Sequence, residues 1–143
     1  MRMVYPLMIQ ALPHNQRAKI ARVISTAFSK PFSAERLLEF EKAVVCQHDA
    51  EYIGVACVRA QGEYKFPTVE CVSVASRFRE RGVGKETVEC VQADLGYDQL
   101  TLHVDRIDNP NIDAALSLYQ SCDFKIVRSN EKEHELEWMK HKV

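Results

Sequence analysis

Thr68-Val69-Glu70-Cys71-Val72-Ser73-Val74-Ala75 runs through Ser76-Arg77-Phe78 into Arg79-Glu80-Arg81-Gly82-Val83-Gly84-Lys85, and the fold is read outward from this stretch. The first segment is mostly apolar, as a strand central to its sheet would be. Beyond the glycines, Val83, Thr87, Val88, Val91 and Leu95 recur at helical spacing, and Gly96 is a natural stop. A basic turn thus carries the chain from a strand into a helix that begins around Gly82. The first turn of any helix has backbone N–H groups without intrahelical acceptors, and the helix dipole adds partial positive charge there. Gly82 and Gly84 let an anion approach that backbone closely, while Arg79, Arg81 and Lys85 add formal charge. A glycine turn with solvated charges is the plainer alternative. The strand-helix context and three flanking cations favour phosphate binding.

Two common phosphate loops fail on spacing. The G-x-x-x-x-G-K-[ST] pattern is absent, and G-x-G-x-x-G is broken because position 87 is Thr.

The flanking sequence supplies a framework for the loop. The N-terminal run from Met1 to Ile9 reads as a first strand, and Ile20, Val23, Ile24, Ala27 and Phe28 mark an amphipathic helix over about residues 14–28. Ser33 is a suitable N-cap for a second, shorter helix carrying Leu37, Leu38 and Phe40. Ala43-Val44-Val45-Cys46 and Tyr52-Ile53-Gly54-Val55-Ala56-Cys57-Val58 read as strands, with the polar residues 47–51 as the hairpin turn. Leu100-Thr101-Leu102-His103-Val104 is a further strand. Asn109-Pro110-Asn111 then caps a helix whose face is Ile112, Ala115, Leu116, Tyr119 and Cys122. Residues 124–127 and 134–138 close the chain as a hairpin around Ser129-Asn130. Strands meeting directly are expected to pair antiparallel and strands joined through a helix to pair parallel, so a mixed α/β sheet follows.

Bulk properties exclude several classes. The 143 residues suit one domain over 1–143, and 46% hydrophobic with 27% charged residues is a globular balance. With 19 basic against 20 acidic residues there is no basic excess to suggest nucleic acid as a partner. Apolar runs fall short of the roughly 20 residues that span a bilayer, and the N-terminus lacks a signal-peptide pattern; a cytoplasmic protein is expected. The five cysteines are scattered without a C-x-x-C and do not cluster with the histidines, which favours reduced, mostly buried thiols and no metal.

Val72-Ser73-Val74 followed by Arg79-Glu80-Arg81-Gly82-Val83-Gly84-Lys85 resembles the acetyl-CoA signature of the GCN5-related N-acetyltransferase (GNAT) superfamily, V and then Q/R-x-x-G-x-G/A. Residues 115–124, Ala-Leu-Ser-Leu-Tyr-Gln-Ser-Cys-Asp-Phe, are similar to the family's A-x-x-L-Y-x-x-x-G-F. The two blocks cover about residues 70–124, and the element order agrees along the whole chain. The resemblance implies a single-domain fold with a mostly antiparallel sheet of six to seven strands, about four helices and a splayed central strand pair.

It also implies roles. Val72, Ser73 and Val74 would offer main chain to the pantetheine arm of acetyl-CoA, with backbone N–H near Val72 polarising the thioester carbonyl. Residues Arg79, Glu80, Arg81, Gly82, Val83, Gly84 and Lys85 would form the pyrophosphate loop. Tyr119 matches the tyrosine placed near the CoA sulfur, where a phenol can protonate the leaving thiolate. A plain core aromatic is equally compatible with its spacing. Glu70, a carboxylate in an apolar strand, is the candidate base for the acceptor amine, directly or through water; a solvent-facing glutamate is the alternative. Glu70-Cys71-Val72-Ser73-Val74 resembles the E-D-x-x-V of polyamine and amino-sugar acetyltransferases, with Cys71 in place of the aspartate.

Two positions depart from the pattern. Ile112 stands where the family has Asn, so Asn111 or Asn109 would contact CoA only through a shifted helix start. Asp123 replaces a glycine, and Asp tolerates left-handed backbone. The expected activity is acetyl transfer to a primary amine, of a small molecule such as a polyamine or amino sugar, without a metal. The alternatives are a protein lysine or N-terminal amine as acceptor, or a non-catalytic CoA-binding module. A homodimer through sheet edges is compatible with this plan.

Overall fold

The structure is a computed structural model and describes residues 2–60 and 66–140. Its elements, in chain order, are β1 (Arg2–Met8), α1 (His14–Phe28), β2 (Lys42–His48), β3 (Glu51–Arg59), β4 (Thr68–Val74), α2 (Val83–Asp94), β5 (Gln99–Asp105), α3 (Ile112–Ser121), β6 (Lys125–Ser129) and β7 (Glu133–Met139). Met1, read from sequence as part of the first strand, lies outside the described residues. The strands form one seven-stranded sheet in the order β1-β2-β3-β4-β5-β7-β6. Pro6 lies on β1, an edge strand, the position in a sheet where a residue without an N–H is tolerated.

Residues alternate across the sheet, and both faces of its centre are covered. Ala43, Val45, Val55 and Cys57 face Ile20 and Ile24 of α1. Val44, Ala56, Val58 and Val69 face the other way, packing with Val88 and Val91 of α2 and with Phe124. A strand buried on both faces must be a continuous apolar run, which is why β2 and β3 stand out in the sequence.

Several sequence expectations change. The second helix is a five-residue 3-10 turn, Glu35–Glu39, so three α-helices stand among the described residues rather than about four. Ser33 still helps to start it, its Oγ accepting from Arg36 N–H at 3.3 Å, but Phe40 is already extended and buried. The turn read over residues 47–51 shrinks to Asp49 and Ala50, because His48 and Glu51 pair across the hairpin. Asp49 takes left-handed backbone to close it (φ 55°).

The pairing rule for helix-joined strands holds for β4 and β5 alone. β1 pairs antiparallel with β2 despite the intervening α1, and β7 lies between β5 and β6. In the second case the short β6–β7 hairpin carries the paired strand inward: β7 matches β5 from Gln99↔Met139 to Asp105↔Glu133, with Leu136 fully buried and every residue of β6 exposed.

Candidate active site

β4 leaves its neighbours in two ways. Against β3 the register slips: Val55 faces Ser73 but Cys57 faces Glu70, so Cys71 and Val72 together oppose Ala56. The extra residue is a β-bulge, with Cys71 in left-handed backbone at φ 57°, a strained conformation for a residue with a side chain. Against β5, β4 keeps a single parallel register pair, Thr68↔Thr101, before the strands part. The bulge bends the strand, and the parting leaves the edge of residues 70–74 open to an added extended chain. This is the splayed pair that the family resemblance implies.

At the far end of that edge the chain turns into α2. Glu80 and Gly82 are both left-handed (φ 62° and 80°), and Gly82 is the N-cap of α2. The first intrahelical bond is Glu86 N–H to Gly82 O at 3.0 Å, so the N–H groups of residues 82–85 come before the helical ladder begins. The loop is held from beneath by Val83, which is 1% exposed and packs with Cys46 and Ile53. Gly54 makes the space: a Cβ there would lie 2.8 Å from Val83 Cγ1.

The two loop glycines have different reasons. Gly82 is needed for its positive φ. Gly84 sits in close packing, where a Cβ would press on Leu118 Cδ2 at 3.3 Å and touch Val74 Cγ2 at 3.5 Å. That contact draws α2, α3 and the end of β4 together. The flanking cations separate: Arg79 Nε reaches Val74 O at 3.5 Å, and Arg81 lies over the Phe78 ring at 5.8 Å, while Lys85 is exposed.

Tyr119 arrives from α3. Its ring meets Phe124 edge-on with centroids 6.1 Å apart, and Asp123 makes the turn between them in left-handed backbone (φ 68°). Phe124 N–H then closes on Tyr119 O at 3.1 Å, so Asp123 does the work of the expected glycine. Tyr119 packs against the same cluster as Val72 and Leu118, as a core aromatic does, and burial, with smaller contributions from Cys122 and Cys71, raises its pKa well above the ordinary tyrosine range. A phenol with a raised pKa is protonated at neutral pH, the form a proton donor requires.

Glu70 is neither bare nor simply solvent-facing. Its Oε2 accepts from Arg59 Nε at 2.8 Å, and both side chains are about a third exposed. Arg59 also reaches Glu39 at 3.7 Å and lies over the Phe40 ring at 4.7 Å. Its pKa is raised, first by the hydrogen bond to Glu70 and against the lowering due to burial. The same arginine lines a cavity of about 370 Å³ with Met8, Gln10, Leu38, Glu39, Phe40 and Glu41. Sequence reading had no signal for Arg59, because its partner lies on the neighbouring strand.

Asn111 is the N-cap of α3 without a side-chain cap bond; Asn109 is the asparagine at work, its Oδ1 accepting from Asn111 N–H at 3.2 Å and its Nδ2 donating to Asp105 O at 2.8 Å. All five cysteines are free. Burial and the adjacent Glu70 push the Cys71 thiol up to about 11, which disfavours a thiolate nucleophile in the bulge. Among the described residues no three His, Cys, Asp or Glu side chains gather as a metal site requires, and no helix is long and apolar enough to cross a membrane.

Residues 39–126 match the sequence profile of the family described as acetyltransferase (GNAT) domain, more than half of the chain. A 5-NmdU N-acetyltransferase of Pseudomonas phage PaMx11 is 24% identical over 123 residues, covering 82% of this chain and 85% of that protein. The Escherichia coli ribosomal-protein-S18-alanine N-acetyltransferase shares the fold with a TM-score of 0.76 at 14% identity, over 100% of this chain and 96% of that one. Salmonella typhimurium yncA, solved with its cofactor acetyl-CoA, does so with a TM-score of 0.68 at 11% identity, over 98% and 95%. With both sequence blocks inside the matched span, the chain belongs to the GNAT family and is an acetyl-CoA-dependent N-acetyltransferase.

Proposed function

We propose that the chain, acting as a single domain, moves the acetyl group of acetyl-CoA directly to the primary amine of a small cationic acceptor such as a polyamine or amino sugar. The observation that carries this reading is the cavity walled by Glu39, Glu41 and Arg59, which meets the β4 carboxylate through the Arg59–Glu70 pair. The carboxylates of Glu39 and Glu41 outnumber the single Arg59 in the lining, which suits a cation, and a cavity of about 370 Å³ suits a small one.

In this reading the donor's pyrophosphate lies on the N–H groups of residues 82–85, with Arg79 and Lys85 nearby. Its pantetheine arm extends along the open edge of Val72, Ser73 and Val74. The acceptor enters from the cavity side as an ammonium. Glu70, with Oε2 on Arg59 and Oε1 remaining, takes one proton from it, directly or through water. The free amine attacks the thioester carbon; the carbon–nitrogen bond forms as the carbon–sulfur bond breaks. Tyr119 gives its phenolic proton to the departing sulfur, and the extra proton left on the acylated nitrogen returns to the phenolate, directly or through water, so that the amide is neutral and Tyr119 is restored. Backbone N–H near Val72 stabilises the charge that develops on the carbonyl oxygen.

A specific observation favours a second acceptor. The phage relative carries 5-NmdU in its name, and its similarity runs over most of this chain. The test is CoA thiol release from acetyl-CoA with a panel of polyamines, amino sugars, 5-NmdU and lysine-bearing peptides. Preferred turnover of a polyamine or amino sugar supports the first reading, and preferred turnover of 5-NmdU supports the second. Turnover confined to the peptides would overturn both.

A further inference from the structure

Arg2, at the start of β1, lies far from the loop in sequence but is bound to it in space. Its Nε donates to Glu86 Oε2 at 3.1 Å and its Nη2 to Glu86 Oε1 at 2.7 Å, a two-pronged ion pair. The same Nη2 donates to the Arg81 carbonyl at 3.0 Å. The guanidinium also lies against Gly82, where an added Cβ would be 3.8 Å from Nη2. Three groups of the loop and first helical turn therefore share one arginine, on a strand held in the sheet by its pairing with β2.

Each contact has a consequence for an anion at the head of α2. Glu86 lies in the first turn of that helix, where an unpaired carboxylate competes with a phosphate for the same positive dipole end. Arg2 neutralises it with the planar fork that suits a carboxylate. The carbonyl contact acts through the peptide plane. In a trans peptide the C=O and the following N–H point in opposite directions, so holding Arg81 C=O on Arg2 aims the Gly82 N–H away from β1. Arg81 is flanked by residues in left-handed backbone, Glu80 and Gly82, so this peptide lies in the sharp turn that leads into α2.

We infer that Arg2 is a positioning residue for the pyrophosphate loop: it masks the Glu86 charge and fixes the peptide that presents the Gly82 N–H to the donor. This inference rests on the loop being the pyrophosphate site. The full chain and its variants are titrated with CoA and with pantetheine, which lacks the pyrophosphate, and acetyl-CoA kinetics are measured alongside. Arg2→Met is expected to weaken CoA about tenfold and to raise the acetyl-CoA KM alike. Pantetheine affinity and kcat should stay within about twofold of the parent.

Adding Glu86→Gln to Arg2→Met should recover part of the lost affinity, because the unmasked carboxylate is removed; a purely structural strut would show no such recovery. Arg2→Lys, which keeps the charge but not the fork, should fall between parent and Met and gives the same readout if the Met variant does not fold. The inference is overturned if CoA binding is unchanged, or if CoA and pantetheine weaken equally. A parent chain that binds CoA no tighter than pantetheine would instead overturn the loop reading, and this inference with it.

Discussion

The proposed donor side of the site comes from consecutive elements: β4, the loop, α2, β5 and α3 follow one another between residues 68 and 121. The proposed acceptor cavity takes Met8 from the end of β1, Gln10 just beyond it, residues 38–41 from the short turn and strand approach, Arg59 from the end of β3 and Ala60 just after it. The two sides also recognise their ligands differently. A pyrophosphate on a helix terminus is read by backbone N–H groups, which need particular φ values and close approach. Those needs fall on glycines at fixed spacing. A small amine is read by side chains, and sheet pairing can deliver them from any distance along the chain.

In the proposed function Glu70 joins the two sides, since it stands on β4 and its partner Arg59 lines the cavity. The largest effect is therefore expected from Glu70→Gln. Loss of a general base lowers turnover by about 10²–10⁴-fold, and kcat should fall in that range while the acetyl-CoA KM stays within about twofold. Steady-state kinetics in both substrates decide it. If the acetyl-CoA KM rises as steeply as kcat falls, Glu70 belongs to the donor side, and the division drawn here fails.

Gly54→Val attacks the donor side from underneath. The first atom of the new side chain would already lie 2.8 Å from Val83 Cγ1, 3.1 Å from Thr87 Oγ1 and 3.2 Å from Cys46 Cβ. Val83 is the first residue of α2, so relief requires that the helix start move. Overpacking of this kind costs about 1–3 kcal/mol, read by denaturant unfolding, and CoA affinity should fall roughly tenfold. The acceptor KM should hold. Lost stability with unchanged CoA affinity would mean that the head of α2 does not carry the donor.

What the sequence revealed follows the same division. The apolar runs of β2, β3 and β4, the stripe of α2 and the glycines at 82 and 84 are local features with a fixed period, and all are legible. The Asp123 turn was legible too, because the chemistry of one residue decides it. Cys71 gave no sign of its left-handed bulge, since nothing in a cysteine favours that backbone; the mismatch between β3 and β4 imposes it. Arg2 and Arg59 were invisible for a related reason. Their partners Glu86 and Glu70 lie 84 and 11 residues away, distances set by strand order and helix packing rather than by any repeat. The insertion of β7 between β5 and β6 escaped the pairing rule because a two-strand hairpin has the same pattern whichever strand turns inward.

The smallest effect, and the one that most sharpens the division, is expected at the proposed acceptor wall. Glu39 shares its charge with Arg59 and with Arg36, each at 3.7 Å, and Glu41 lines the same cavity. Exposed carboxylates act weakly, so Glu39→Gln with Glu41→Gln should raise the KM for a cationic amine only about fivefold. The acetyl-CoA KM should not change. Because the effect is electrostatic, added salt should raise the parent's acceptor KM and leave the double variant nearly unaffected, until the two converge. A neutral amine of similar size should not distinguish parent from variant at any salt. If it does, the wall selects by shape, and the acceptor need not be a cation.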